Sequence, residues 1–354
     1  MSRLLTRTIE TIKPLDRKSM AAAQERQNIL TKPRGSLGRL EELSVQLAGI
    51  QGRPLPHAKQ KAIITMAGDH GVAVEKVSNW PQEVTAQMVH NFLSGGAGIN
   101  VIARQVGARV IVVDMGVTTK LKPHPQLLSR KIAAGTQNMA RGPAMTKEQA
   151  IKAMEAGIEI ITAEISKGLD IIGTGDMGIG NTTPSAAICA VMTGKPVQET
   201  TGRGTGLTDE QLAHKIEIVE RAIEVNRLNP EKPLEVLAKV GGFEIAGLGG
   251  VMLASAAHRI PMVIDGFISG AAALIATAIS PGLKDYLIAS HCSAEAGHRP
   301  LLEYLELKPL LNLDMRLGEG TGAALGIFLA ETAAKILAEM TTFTEAGVSE
   351  KEEH

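Results

Sequence analysis

The chain has few aromatic residues and no excess of either charge. Phe, Trp and Tyr together make up 2% of its 354 residues, and 37 Lys and Arg residues balance 37 Asp and Glu residues. Proteins that bind a nucleic-acid backbone need a basic excess, and those that bind single strands need aromatic stacking surfaces, so no nucleic-acid partner is expected. The scarcity of aromatic residues also disfavours an all-β sandwich or barrel.

Cysteine and long apolar runs are scarce as well. Cys189 and Cys292 are too few for a disulfide scaffold, which favours a reducing compartment, the cytoplasm. The first 16 residues lack the apolar core of a secretory signal. The uncharged segment 266–283 approaches the length of a membrane-spanning helix, but its Gly, Ser, Thr and Pro residues favour a buried helix. No membrane partner is therefore expected.

Glycine, by contrast, is abundant, with 37 residues. Five short apolar runs each end in a glycine, an acidic residue or a Ser-His pair, and long helical patterns separate them. These runs are 62–67, 110–113, 169–172, 262–264 and 286–289. Continuous apolar runs are typical of strands covered on both faces, so the sequence predicts an α/β fold with a mostly parallel sheet and flanking helices.

Helical patterns dominate both ends of the chain. The first 52 residues are mostly helical in pattern, with Ser36 as the predicted cap of a helix that runs through Leu47. Capping boxes mark two further helix starts, at Thr146 and Thr208. The last long helix is predicted over 321–340, and the polar tail from Thr341 onward is predicted to fray.

Polar side chains follow the predicted strands. They are Asp69, Asp114, Asp176, Asp265 and His291. Because ligands of open parallel sheets bind beyond the carboxyl ends of the strands, these side chains are expected to converge on one crevice. The alternative is that some of them only cap helices or close turns.

Two glycine-rich segments, 173–183 and 201–206, each precede a predicted helix. Glycines let backbone N–H groups turn towards a ligand, and a helix start favours an anion, so both segments are candidate phosphate cradles. Neither matches a dinucleotide-binding fingerprint or a P-loop. Lys215 lies two turns into the second helix and its flexible side chain can reach back to a phosphate. The alternatives are tight packing turns and a solvated lysine.

Glu319 lies between two glycines, immediately before an apolar helix. A carboxylate there can act as a general base if it is partly desolvated, or it can simply stabilise the helix N-terminus by its charge. Gln87 and Met88 open another helical segment and could contact a heterocycle, although a surface amide and a core methionine are the more ordinary interpretation.

Histidines, cysteine and carboxylates occur together in segments 67–71 and 291–298. Such groups can bind a divalent metal, or Cys292 could act as a nucleophile beside His291 or His298. Neither segment has compact metal-ligand spacing, so the sequence predicts no metal site.

Six segments, in order along the chain, resemble nicotinate-nucleotide–dimethylbenzimidazole phosphoribosyltransferases. They are 32–41, 67–72, 178–183, 202–206, 265–268 and 316–320. The resemblance implies a Rossmann-like sheet, a homodimer, and a small helical domain built from both chain ends. The expected division is residues 1–55 with 310–354 for the small domain and 56–309 for the large one.

The resemblance also implies a reaction and a set of site residues. Nicotinate is displaced from nicotinate mononucleotide by 5,6-dimethylbenzimidazole, with inversion at C1′, giving α-ribazole 5′-phosphate for the cobalamin lower ligand without a cofactor. Glu319 is then the general base. The expected phosphate and ribose contacts are Gly178, Gly180, Asn181, Thr182, Gly202, Gly204, Lys215, Asp265 and Ser293, and the expected base contacts are Gln87, Met88, Asp176 and Leu317. Asp176 stands where the family usually has Glu, which leaves its role open.

Two other functions compete with the transferase. One is a metal-dependent phosphohydrolase that uses Asp69, His70, Asp176 and His291. The other is a nucleotide-binding regulator without activity. Neither gives Glu319 a chemical task.

Overall fold

A computed structural model, which describes residues 1–349, contains a parallel six-stranded sheet. Its strands are β1 (Lys61–Gly68), β2 (Arg109–Gly116), β3 (Leu127–Ser129), β4 (Ile171–Met177), β5 (Met262–Ile264) and β6 (Leu287–Ala289). Their spatial order is β3-β2-β1-β4-β5-β6, and every pairing is parallel. The predicted α/β fold is confirmed, and the order reverses between β1 and β4, where such sheets bind ligands.

Each of the five predicted runs contributes to a strand, with two differences. β4 continues through Gly173 and Gly175 to Met177, so these two glycines belong to a strand and not to a phosphate cradle. A Cβ atom on Gly175 would lie only 2.3 Å from the carbonyl oxygen of Glu319, which is why the strand carries glycine there. The edge strand β3 was not predicted, because three residues are too short to show a pattern.

Helices surround the sheet and occupy both chain ends. They are α1 (Arg3–Thr11), α2 (Arg17–Ile29), α3 (Arg39–Gln51), α4 (Val84–Leu93), α5 (Gly98–Val106), α6 (Lys147–Ile165), α7 (Thr182–Thr193), α8 (Val197–Thr200), α9 (Asp209–Asn226), α10 (Pro233–Val240), α11 (Phe243–Ala257), α12 (Phe267–Ile279), α13 (His298–Tyr304), α14 (Thr321–Glu339) and α15 (Phe343–Ala346). Two 3₁₀ turns lie at Gly71–Glu75 and Pro281–Tyr286.

The capping boxes at α6 and α9 are confirmed, because Thr146 and Thr208 each accept a hydrogen bond from the backbone three residues on. The prediction for Ser36 is wrong. α3 begins at Arg39, and its N-cap is Gly38 and not Ser36. Gly38 adopts a φ of +50° and ends a turn just before the helix. The prediction that the tail frays is wrong over Phe343–Ala346, where α15 forms with its own capping box, and residues 350–354 lie outside the described chain.

Two apolar clusters cover the two faces of the sheet. One contains α6, α7, α11 and α12, and the other contains α4, α5 and α14. The uncharged segment 266–283 forms α12, most of whose residues are buried in the first cluster, as predicted. Within the described residues, α14 is the one helix long and apolar enough to cross a membrane, but more than half of it is buried, and it packs on β4 and α3. That burial is typical of a core helix.

The two chain ends pack together. α2 contacts α3 and α14 around Ala23, Ala48 and Leu337, and Arg26 Nε donates a hydrogen bond to the Leu337 carbonyl at 2.6 Å. α1 lies instead against α6 and α11 of the sheet. The division into a small and a large domain stays a prediction.

Candidate active site

A cavity of about 120 Å³ opens beyond the carboxyl ends of β4, β5 and β6. It lies where ligands bind in an open α/β sheet. Its lining comes from six parts of the chain. They are 77–78, 176–182, 204–205, 266–268, alternate residues of 291–295, and 316–318.

The first predicted phosphate loop, Gly178 to Thr182, lines this cavity between β4 and α7. Gly180 has a φ of +86°, and a Cβ atom on Gly178 would lie 2.3 Å from the carbonyl oxygen of Gly68. Thr85 on α4 fixes the loop by accepting a hydrogen bond from the N–H of Ile179 at 3.1 Å. The loop therefore delivers a helix N-terminus to the cavity, which is a favourable place for an anion.

Lys215 is fully buried, although the sequence alone left open a solvated lysine. Its Nζ atom donates hydrogen bonds to Thr182 Oγ1 at 2.8 Å and to the Gly202 carbonyl at 3.1 Å. Burial lowers its pKa to about 8, while the nearby carboxylate of Glu295 opposes the shift. Both hydrogen-bond partners of the ammonium are neutral oxygens, and among the described residues no carboxylate lies within ion-pair distance of it, so an added anion would be stabilised there. Lys215 thus joins the two glycine loops at one end of the cavity.

Glu319 occupies a constrained position just before α14. Its φ is +63°, between Gly318 at +80° and Gly320 at +98°, so three consecutive residues take the left-handed conformation. For a non-glycine residue this conformation costs energy and is commonest at functional sites. The carboxylate accepts a hydrogen bond from the N–H of Ile99 at 3.1 Å, at the start of α5, and the Glu319 carbonyl accepts one from Thr65.

Burial raises the pKa of the Glu319 carboxyl, while the N–H of Ile99 partly opposes that shift. Only 5% of the residue is exposed. The neighbouring loop residue Leu317 is 59% exposed and lines the cavity, as Gly318 does. The carboxylate is therefore partly desolvated, as a general base has to be, and its role as the base stays a prediction.

Asp265, directly after β5, holds the backbone that carries Glu319. Its Oδ2 accepts from the N–H of Gly320 at 3.0 Å, and its Oδ1 accepts from Gly322 at 2.7 Å and from Ala323 at 3.1 Å. Burial raises its pKa to about 7, against these three donors, which favour the carboxylate. The side chain therefore fixes the start of α14, and the ribose contact expected of it stays a prediction.

Asp176, at the end of β4, lines the same cavity. Burial, together with the charge of Asp265, raises its pKa to about 8, although Asn181 donates a hydrogen bond to it at 2.8 Å. Its carboxyl is therefore mostly neutral at pH 7 and adds little negative charge beside Glu319. The Asp176 side chain reaches Asn181 and faces Gly318. A Cβ atom added to Gly318 would lie 3.5 Å from both carboxyl oxygens of Asp176.

Comparison with known proteins matches this geometry to one group of enzymes. A family model described as phosphoribosyltransferase matches residues 12–348. The nicotinate-nucleotide–dimethylbenzimidazole phosphoribosyltransferase of Desulforudis audaxviator is 61% identical over 347 residues, which cover 98% of each chain. The enzyme of the same name from Chloroflexus aggregans is 57% identical over 350 residues, or 99% of each chain. The solved structure of CobT from Thermus thermophilus superposes with a TM-score of 0.91 at 49% identity, over 94% of this chain and all of that one.

The chain belongs to the nicotinate-nucleotide–dimethylbenzimidazole phosphoribosyltransferase family. The resemblance drawn from the six sequence segments is thereby confirmed.

The structure brings most of the predicted site residues of this family to the cavity. Those that line it are Asp176, Gly178, Gly180, Asn181, Thr182, Gly204, Ser293 and Leu317. Four others lie behind this lining and not in it: Lys215 and Gly202 next to Thr182, and Asp265 and Glu319 next to Gly266 and Gly318. Gln87 is exposed on α4 and Met88 packs at the edge of the apolar cluster, and neither lines the cavity, so their contacts with a base stay predictions.

The five strand-end side chains converge only in part. Asp176 and His291 line the cavity, and Asp265 holds its edge. Asp69 instead accepts a hydrogen bond from the N–H of Thr118 at 2.7 Å, and Asp114 accepts one from Val117 at 2.9 Å. These two carboxylates close loops, which was the alternative interpretation.

The four residues of the hydrolase hypothesis do not form one site. His70 Nε2 lies 2.6 Å from Glu244 Oε1 in a buried pair, and the charge of Glu244 raises the pKa of His70 against the effect of burial. Over residues 1–349 no group of three or more His, Cys, Asp or Glu side chains is placed to hold a metal. Cys292 is half-buried, and its Sγ lies 3.9 Å from the Ser293 carbonyl.

Three charged residues at or beside the cavity were not predicted as site residues. Glu295 and Arg316 line the cavity, and Glu244 supports the loop beneath Gly178 through its pairing with His70. Glu295 and Arg316 occur in segments that the sequence singled out for other reasons. Glu244 is the second residue of α11, and nothing in the sequence around it indicates that it is buried.

Proposed function

We propose that this enzyme transfers the 5-phosphoribosyl group of nicotinate mononucleotide to 5,6-dimethylbenzimidazole. The products are nicotinate and α-ribazole 5′-phosphate, which serves in the assembly of the cobalamin lower ligand. The observation that carries the proposal is that one cavity is lined both by Gly318, next to the buried carboxylate of Glu319, and by Thr182, which binds the buried ammonium of Lys215. A phosphoribosyl transfer to a neutral base needs both.

Glu319 acts as the general base in this proposal. The unprotonated nitrogen of dimethylbenzimidazole attacks C1′, and the bond from C1′ to the nicotinate nitrogen breaks. The electron pair of that bond neutralises the pyridinium, so the leaving group needs no acid. The second ring nitrogen of dimethylbenzimidazole loses its proton to Glu319, whose pKa burial has already raised. Attack from the face opposite nicotinate inverts C1′ from β to α.

The phosphate end of the cavity positions the sugar. Lys215, the N-terminus of α7 and the loop around Gly204 surround the place for a 5′-phosphate. A fixed phosphate and two aligned rings turn the transfer into a reaction between pre-positioned groups, which accounts for much of the rate. Because nothing in these steps requires a metal or cofactor, we propose that the enzyme uses none.

We further propose a cytoplasmic homodimer. Val101 on α5 and Phe328 on α14 are each more than half exposed, and the two helices pack side by side. An exposed apolar surface of this kind suits a second copy of the chain. Light scattering that gives the mass of a monomer at micromolar concentration would contradict this part of the proposal.

The reaction is tested by its products. Purified protein is incubated with both substrates in the presence of a chelator, and nicotinate and α-ribazole 5′-phosphate are quantified by mass spectrometry. We expect equal amounts of the two products, and proton NMR of the ribosyl product should show the α anomer. Nicotinate without the ribosyl product would indicate a hydrolase, and nucleotide binding without turnover would indicate a regulator.

A further inference from the structure

His291 lines the cavity, yet the mechanism above gives it no role. It follows β6, and only 2% of the residue is exposed. Its ring lies against the first turn of α14, because a Cβ atom on Gly322 would fall 2.0 Å from Nδ1. Gly322 is three residues beyond Glu319. The imidazole therefore lies at the base of the segment that carries the general base.

The hydrogen bonds of Ser290 determine the tautomer of this histidine. The Ser290 hydroxyl donates to the carbonyl oxygen of Asp265 at 3.1 Å, and a hydroxyl has only one proton to donate. Ser290 Oγ also lies 3.0 Å from Nδ1 of His291. Both bonds form together only if Nδ1 carries the proton and donates it to Ser290. Nε2 of His291 is then an unprotonated acceptor.

The free nitrogen faces the cavity. Within residues 1–349, Nε2 of His291 makes no hydrogen bond, and it is not among the fully buried side-chain atoms that lack a partner. It lies 3.7 Å from the point where Gly266, a cavity-lining residue, would carry a Cβ atom. Burial lowers the pKa of His291 to about 4, so the ring is neutral at pH 7.

A neutral acceptor selects among the groups of the substrates. Its lone pair repels the phosphate and the ionised carboxylate of nicotinate mononucleotide, and it needs an O–H or N–H donor. The N–H of dimethylbenzimidazole is directed to Glu319. The remaining donors are the 2′- and 3′-hydroxyl groups of the ribose.

We propose that Nε2 of His291 accepts a hydrogen bond from a ribose hydroxyl of the bound nucleotide. The position of the ring agrees with this contact, because it lies between the start of α14 and Ser293. Ser293 Oγ accepts a hydrogen bond from the N–H of Glu295, whose side chain lies against Gly202, and the Gly202 carbonyl binds Lys215. The ribose thus lies between the phosphate site and the general base. This inference rests on the proposed function, because it assumes that nicotinate mononucleotide is the substrate.

Two variants separate the free nitrogen from the packing of the ring. His291→Asn keeps a donor near Nδ1 but has no group at Nε2, whereas His291→Gln places an amide near Nε2. Each is assayed with nicotinate mononucleotide and with its 2′-deoxy and 3′-deoxy analogues. We expect His291→Asn to lower kcat/KM for the parent substrate about tenfold relative to wild type, the usual effect of one hydrogen bond. His291→Gln should recover most of that loss.

The deoxy analogues provide the decisive comparison. With one of them, wild type and His291→Asn should have the same kcat/KM, because the donor is already gone. Equal losses on all three substrates, or no loss on any, would overturn the proposal. If His291→Asn does not fold, Ser290→Ala takes its place, since it removes the acceptor that fixes the tautomer. Its loss must then be confined to the same hydroxyl, and a loss independent of the hydroxyls overturns the proposal.

Failure of the proposed function gives a different result. Wild type would then form no product from nicotinate mononucleotide and dimethylbenzimidazole. The same proteins would be compared by calorimetry for their Kd for nicotinate mononucleotide. Weaker binding by His291→Asn with recovery in His291→Gln supports the contact, and equal Kd values overturn it.

Discussion

Replacing Asp265 by Asn should both destabilise the protein and slow the reaction. The carboxylate accepts three backbone N–H groups, from Gly320, Gly322 and Ala323, and it is completely buried. An Asn side chain has the same shape but only one acceptor oxygen. If that oxygen faces Gly322 and Ala323, the amide nitrogen of Asn faces the N–H of Gly320, and two donors oppose each other.

The magnitude follows from what is lost. One buried N–H without an acceptor costs about 1–3 kcal/mol. Because burial has already raised the pKa of Asp265 to about 7, loss of its charge adds no further cost, and we expect the free energy of unfolding to fall by about 1–3 kcal/mol. Because Gly320 is adjacent to Glu319, kcat should fall about tenfold or more, since small displacements of a catalytic group are costly. KM for the nucleotide should change little.

Urea unfolding followed by circular dichroism measures the first effect, and steady-state kinetics measures the second. Asp69→Asn is the matched control, because that buried carboxylate also follows a strand but closes a loop through Thr118. The reasoning is refuted if the two variants lose the same stability and both retain the wild-type kcat. In that case Asp265 would not hold the catalytic segment.

Two further predictions concern Lys215 and Gly175. Because burial lowers the pKa of Lys215 to about 8, its ammonium is present below that pH and lost above it, so kcat/KM for the nucleotide should fall as the pH rises through about 8. In Lys215→Met this limb of the pH profile should be absent and KM should rise about a hundredfold, and persistence of the limb would assign it to another group. Gly175→Ala should displace Glu319, since the new Cβ atom would lie 2.3 Å from its carbonyl, whereas Gly142→Ala meets nothing within 4 Å and serves as the control. If Gly175→Ala keeps the wild-type kcat, then β4 and the Glu319 backbone can move apart without slowing the reaction, and this prediction is wrong.

The sequence predicted the sheet well, because its strands are buried on both faces and show up as continuous apolar runs. It misjudged β4, since glycines usually signal a turn, and here Gly173 and Gly175 instead make room for neighbours within the strand. The edge strand β3 has three residues and no distinguishing pattern.

The candidate site could be predicted where the local sequence has a distinctive pattern. Glu319 between two glycines and the loop at Gly178 were singled out in this way, and the roles that the family resemblance implies for them stay predictions. The burial of Lys215 and the three hydrogen bonds of Asp265 could not be predicted, because they depend on segments distant in the chain. The tautomer of His291 depends in the same way on Ser290 and on the carbonyl of Asp265.

The most direct test of the account compares wild type with Glu319→Gln in the formation of α-ribazole 5′-phosphate. Gln has nearly the same shape and can still face the N–H of Ile99, but it cannot take a proton. The account predicts that kcat falls about 10²- to 10⁴-fold, as for loss of a general base, while the Kd for nicotinate mononucleotide is unchanged. Glu83→Gln, at an exposed position before α4, should match wild type. Equal rates for wild type and Glu319→Gln would contradict the claim that Glu319 is the base.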